Sequence, residues 1–146
     1  MTSSSDAKLE RAASVGAADG VNYRTTPDWP ARVRELTGGE GAELVVDTVG
    51  RLTETIAAAR VGGTIAFIGL LTGLTSEVDL VALMGKSARI QAVDVGSRAM
   101  FESMNRAIER GGVRPVIDRV FAFDEAIAAV RYLAGRTHFG KVCVQL

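Results

Sequence analysis

The run "AELVVDTVG" (Ala42 to Gly50) does most to limit what this chain can fold into. Its apolar residues are consecutive rather than alternating, which suits a strand buried on both faces, as in a parallel sheet. A parallel neighbour needs a crossover, and the next segment supplies one. "RLTETIAAARVGG" puts Leu52, Ile56 and Ala59 on one side of a helix and ends in glycines, and "TIAFIGLL" follows as the next strand.

The same alternation runs along the rest of the chain. "SSSDAKLERAASVGA" opens as a helix (about Asp6 to Val15) with no full strand before it, and "GVNY" is a short strand. In "TTPDWPARVRELTGG", Thr26 is placed to cap a helix, Pro27 suits the first helical position, and Gly38 follows the last turn. Pro30 still lies in the first turn, where a missing N–H costs nothing. Trp29, Val33 and Leu36 fall at i, i+4 and i+7, one buried stripe. A short helix near Val78 to Met84 leads to the strand "ARIQAVDVG". Ser97 then caps a helix that turns Phe101, Met104 and Ile108 inward. The strand "RPVIDRVF", the helix "FDEAIAAVRYLAGR" and the strand "GKVCVQL" complete the order. The fold class is α/β, a mostly parallel sheet with helices on both faces.

Composition removes several functions. The 146 residues hold 47% apolar and 23% charged side chains, enough for a real core. Seventeen basic residues balance seventeen acidic ones with no long basic run, so no nucleic-acid or anionic-membrane surface is expected. No apolar stretch has membrane-spanning length, and the Ser-rich start does not read as a secretory signal. Cys143 and His138 are the only residues of their kinds, which excludes an internal disulfide and argues against a zinc site built from His and Cys. The expected compartment is the cytoplasm.

In order, "KLERAASVGAADGVNYR", "VRELTGGEGAELVVDTVG", "VGGTIAFIGLL" and "HFGKVCV" resemble the carboxy-terminal half of the medium-chain dehydrogenase/reductase superfamily. The likeness is to quinone-oxidoreductase-like and zinc-type alcohol-dehydrogenase-like members, and it covers essentially the whole chain. It implies an incomplete Rossmann domain over residues 1–96 and, over 97–146, a segment that in the family packs back on the catalytic domain. The family's first strand, its glycine-rich pyrophosphate turn and its amino-terminal barrel have no counterpart in these residues.

The resemblance also assigns residues. Ser3 and Ser4 would end the family's second strand, where an NAD-preferring fold presents a carboxylate to the ribose hydroxyls. A hydroxyl there accepts a 2′-phosphate instead. Lys8, with Tyr23 fifteen residues on, resembles the NADPH-binding spacing of quinone oxidoreductases. The plain alternative makes Lys8 a solvated helix lysine and the serines a cap, and Asp6 would then leave NAD(H) open. Thr48, Val49 and Gly50 would face the adenosine side, and Ile68, Gly69 and Leu70 the nicotinamide ribose and ring. Val93, Asp94 and Val95 would offer backbone contacts to the carboxamide, and Lys141 would lie near the phosphates. His138 reads as a loop residue and Cys143 as a packed side chain. No catalytic residue and no metal ligand is assigned.

The implied whole protein is an NADP(H)-dependent oxidoreductase acting on a small molecule (a carbonyl, alcohol or quinone) without catalytic zinc. The rival reading is a non-catalytic dimerising or nucleotide-binding module. The family's sixth strand implies a homodimer through Arg89 to Val95. Without the first strand of the order 3-2-1-4-5-6, "ELVVDTV" keeps one open edge. The chain is therefore expected to be marginally stable or completed by the amino-terminal half or another chain, and inactive alone.

Overall fold

The computed structural model describes every residue from Met1 to Leu146. The chain divides into two compact units, Met1–Val95 and Gly96–Leu146.

The first unit runs β1 (Thr2–Ser3), α1 (Asp6–Ser14), β2 (Val21–Asn22), α2 (Trp29–Leu36), β3 (Ala42–Asp47), α3 (Leu52–Ala58), β4 (Ala59–Phe67), α4 (Leu80–Lys86) and β5 (Arg89–Ala92). All strand pairs are parallel, β1 with β2 and β3–β4–β5 as a second sheet. The break between β1 and β3 falls where the expected sheet lacks its first strand.

Caps explain the helix starts. Ser5 caps α1 by accepting from the Lys8 N–H, and Asp79 caps α4 through the Ala82 N–H. The cap of α2 corrects the sequence reading. Asp28, not Thr26, accepts from the Ala31 N–H at 3.2 Å, and Pro27 lies outside the helix. Pro30 stays in the first turn, as read. Asp is a stronger cap than Thr, and it stands next to the helical residues.

Two apolar clusters hold this unit. Trp29, Val21 and Ala58 are joined by Val33 and Leu36, the stripe read from the spacing. Ile56, Ala59 and Ile65 form the other, with Leu52, Val45, Leu83 and Ile90 around them. Ala59 already begins β4, five residues earlier than expected for that strand, because "ARVGG" extends instead of ending the helix. At the far end of α3 two cations converge. The Arg34 guanidinium donates to the Ala57 carbonyl at 2.8 Å, and the Lys86 ammonium donates to the carbonyls of Ala57 and Ala59. They meet the negative end of the α3 dipole. Burial, and then the Arg34 charge, hold the Lys86 amine below its ordinary value.

The expected two-sided burial of β3 is not met. Leu44 is 57% and Val46 55% exposed, because β3 has a neighbour on one edge only and helices over one face.

The second unit runs α5 (Arg98–Arg110), β6 (Ile117–Ala122), a 3-10 turn (Phe123–Glu125), α6 (Ala126–Ala134) and β7 (Lys141–Gln145), with β6 and β7 parallel. Ser97 caps α5 as read, but Phe101 and Met104 are exposed, and only Ile108 is half-buried. Nothing in this unit covers that helix face. Its core gathers on Phe121, whose ring meets Tyr132 at 5.7 Å and carries the Arg119 guanidinium at 4.4 Å. Asp118 accepts from the Tyr132 hydroxyl at 2.7 Å and from the Phe139 N–H at 3.0 Å. The hydrogen bond to Asp118, and then burial, raise the Tyr132 phenol above its ordinary value of 10.0.

Two outcomes follow from these contacts. Ile65→Ala, at a fully buried position, should cost about 2–5 kcal/mol in urea unfolding, and Leu44→Ala less than about 0.5 kcal/mol. The Tyr132 contribution is complete below its unfolded value and is lost as pH rises through the raised folded one. The second unit should therefore weaken in alkali above about pH 10, and Tyr132→Phe should remove that loss in a pH series of melting temperatures.

Candidate functional site

The first unit brings the ends of its strands to one rim. In the ladder, Asp47 is level with Phe67, and Phe67 with Ala92, so the segments after β3, β4 and β5 leave side by side. Thr48, Val49 and Gly50 follow the first, Ile68, Gly69 and Leu70 the second, and Val93, Asp94 and Val95 the third. Ligands of open α/β sheets bind at such carboxyl ends.

Backbone contacts lock the first two segments together. Ile68 and Gly69 both donate N–H to the Asp47 carbonyl, at 2.8 and 3.1 Å. A Cβ on Gly69 would collide with the Thr48 carbonyl. Gly50 has φ +99°, and a Cβ there would stand 2.8 Å from the Thr72 hydroxyl. That hydroxyl donates to the carbonyls of Val49 and Gly50 at 3.2 and 3.0 Å, while the Thr72 N–H donates to Val49 at 3.1 Å. Thr72 thus clamps both loops, a role its surroundings in "LLTGLTS" do not announce.

Asp47 shapes the turn from below. It is 4% exposed, and its Oδ1 accepts from the N–H groups of Val49 and Gly50 at 2.9 and 2.7 Å. Its Oδ2 is buried with no partner. The third segment is less constrained. The Val93 N–H still reaches the Phe67 carbonyl at 2.9 Å, and Asp94 accepts from the Val95 N–H at 2.7 Å. These three residues lie beyond the four-residue strand β5, shorter than "ARIQAVDVG" suggested.

Ser3, Ser4, Lys8 and Tyr23 gather at the end of the β1–β2 pair. The Tyr23 N–H donates to the Ser3 carbonyl at 3.0 Å, and the Ser3 hydroxyl accepts from the Ser5 N–H at 3.3 Å. Lys8 stands in the first turn of α1. Asp6, the competing acidic group, accepts from the Asn22 side chain at 2.7 Å. Lys141 starts β7 in the other unit, its N–H donating to the Val116 carbonyl. There, His138 is half-buried with an unpartnered Nδ1, and Cys143 is a half-buried free thiol.

Between β1 and β3 lies a slot of about 800 Å³. Met1, Thr2 and Tyr23 stand on one side and Leu44 to Val49 on the other, with Trp29, Val33, Thr55 and Ala58 also lining it. Tyr23 follows β2 and Thr48 follows β3, so the slot joins both groups of candidate residues.

A family model described as zinc-binding dehydrogenase matches residues 1–110. The chain belongs to that family. It corresponds to the carboxy-terminal half of medium-chain dehydrogenase/reductase proteins, whose Rossmann-like domains its fold shares. A zinc-type alcohol dehydrogenase-like protein of Schizosaccharomyces pombe is 35% identical over all of this chain and 44% of its own length. A solved NAD-dependent alcohol dehydrogenase is 36% identical, with TM-score 0.87 over 99% of this chain and 43% of its own. A mycobacterial protein solved with NADPH is 25% identical, with TM-score 0.80 over 99% of this chain and 48% of its own. The chain spans less than half the length of each.

No three His, Cys, Asp or Glu side chains come together in a group that could hold a metal ion. The rim offers hydroxyls, a lysine and a turn whose glycines let the backbone approach closely. No helix is long and apolar enough to cross a membrane.

The lock on the rim is testable. Gly69→Ala should lower stability by about 1–3 kcal/mol or more through the clash with Thr48, and Thr72→Val by about 1 kcal/mol through its lost hydrogen bonds. Urea midpoints of the two variants measure both.

Proposed function

We propose that residues 1–146 are the cofactor-binding half of an NADP(H)-dependent oxidoreductase acting on a carbonyl, alcohol or quinone. The observation that carries this reading is the shared rim. In a member of this family, the segments after the parallel strands β3, β4 and β5 leave side by side at their carboxyl ends, and Ser3 ends β1, where an NAD-preferring fold presents a carboxylate. Ser3, Ser4 and Lys8 would hold a 2′-phosphate, and Tyr23 and the Thr48–Gly50 turn the adenosine. Ile68, Gly69 and Leu70 would lie along the nicotinamide ribose, and Val93–Val95 along the carboxamide. Lys141 is a further candidate for the phosphates.

When bound, the nicotinamide supplies the hydride chemistry. This chain's share is to bind and orient it, and no side chain here is assigned as acid, base or nucleophile. The substrate pocket and pyrophosphate turn belong to the amino-terminal half, so the chain alone should not turn over. We take its compartment to be the cytoplasm, in keeping with a lone thiol. The sheet is read as completed by one further strand in the slot between β1 and β3, from the amino-terminal half or another chain.

The outer edge of β5 supports a homodimer through Arg89 to Val95, since β5 pairs with β4 alone. The Val93 N–H points to β4, so strand alternation turns the Ile90 and Ala92 N–H groups outward. This edge also suits the second reading, a dimerising module without catalysis.

Three measurements decide between these readings. In the protein completed by its amino-terminal half, calorimetry should show NADPH binding tighter than NADH, with Lys8→Glu weakening NADPH alone by about 1.5–3 kcal/mol. Equal affinities would sink the NADP(H) assignment, and turnover without nucleotide would sink the oxidoreductase. Ala92→Pro removes an outward N–H while sparing the β4 ladder, so light scattering should shift from dimer to monomer.

A further inference from the structure

We propose that Thr72 is a positioning residue for the dinucleotide. Its hydroxyl holds the loop that follows Ile68–Leu70 against the Thr48–Gly50 turn, so the two ends of one cofactor molecule meet a surface whose parts are already in place. The inference rests on the NADP(H) reading of those two segments.

A short turn builds the latch. The Gly73 N–H donates to the Leu70 carbonyl at 3.2 Å, which reverses the chain after β4 and brings Thr72 back to the end of β3. Gly73 follows at φ +129°, a conformation that suits a residue without a side chain. From this turn the Thr72 hydroxyl reaches the Val49 and Gly50 carbonyls at 3.2 and 3.0 Å, and the Thr72 N–H reaches Val49 at 3.1 Å. A second tie holds the far end of the same loop. The Thr53 hydroxyl, in the first turn of α3, donates to the Glu77 carbonyl at 3.0 Å.

Thr72 and Asp47 divide the turn between them. Asp47 Oδ1 accepts from the Val49 and Gly50 N–H groups, and the Thr72 hydroxyl donates to the carbonyls of the same two residues. Asp47 acts within the turn, so its hold does not depend on the loop after β4. The main-chain bonds from Ile68 and Gly69 to the Asp47 carbonyl fix only the start of that loop. Leu70 lies beyond them, and the Thr72 hydroxyl closes its far side. Without that hydroxyl, the loop is less ordered against the turn, and a ligand must order it on binding. That cost falls on a ligand that touches both segments, and not on one that touches the turn alone.

The test uses the protein completed by its amino-terminal half and two ligands. NADPH would span both segments, whereas adenosine 2′,5′-bisphosphate would reach the turn and the 2′-phosphate residues alone. In calorimetry, Thr72→Val should weaken NADPH about fivefold or more and leave the bisphosphate within about twofold. Thr72→Ser keeps the hydroxyl and should restore the wild-type ratio of the two affinities. If Thr72→Val does not fold, Thr72→Ala is measured in its place. A role confined to stability would weaken both ligands alike, or lower the urea midpoint and change neither affinity. Either of those results, or a Thr72→Ser that behaves as Thr72→Val does, overturns the positioning role and leaves the NADP(H) reading standing. A wild-type protein that binds neither ligand overturns the NADP(H) reading and the role of Thr72 with it.

Discussion

The close passage of Gly69 beneath the Thr48 carbonyl is the constraint on which the rim depends. It brings the backbone after β4 against the backbone after β3, closer than any side chain at Gly69 would permit. Thr72 reaches back to close the same junction. The surface so formed is fixed by main-chain hydrogen bonds, leaving the side chains of Val49, Ile68 and Leu70 exposed at its edge. Preorganisation of this kind suits binding, since little ordering remains to be done when a ligand arrives.

Away from the rim, the unit is strong on one side and open on the other. Lys86 and Arg34 tie α4 and α2 to the end of α3, and the Ile56–Ile65 cluster fixes α3 and α4 against β3, β4 and β5. The opposite edge of β3 has none of this support. Each unpaired buried backbone group costs about 1–3 kcal/mol, against a total stability of about 5–15 kcal/mol for a folded domain. Leu44 and Val46 escape part of that cost by standing in solvent, which trades a buried polar group for an exposed apolar one. An apolar edge of that kind pairs readily with foreign strands.

Local signals carried most of the fold. The element order, the Ser5 and Ser97 caps and the Trp29–Val33–Leu36 stripe were legible because capping and helical period are written in adjacent residues. Asp28 displaced Thr26 because two capping residues stand two positions apart, and aspartate, the stronger of the two, adjoins the first helical residue. The exposure of Phe101 and Met104 was not legible at all. An apolar stripe states that a helix face needs covering and is silent on whether the cover lies in the same unit. For the candidate site, resemblance supplied the three rim segments, and the ladder register shows that they emerge together. Thr72 and the second oxygen of Asp47 were beyond reach, since both act through contacts more than twenty residues away or through an atom left without one.

Asp47 joins the two open questions about this chain. Through Oδ1 it holds the Val49 and Gly50 N–H groups and so sets the turn that would meet the adenosine. Asp47 also lines the slot between β1 and β3, with its Oδ2 closed off from solvent and without a partner. Thr48 and Val49 line the slot as well and belong to that same turn. Packing in the slot and order at the rim therefore share residues, and Asp47 is the side chain that fixes them through main-chain N–H groups.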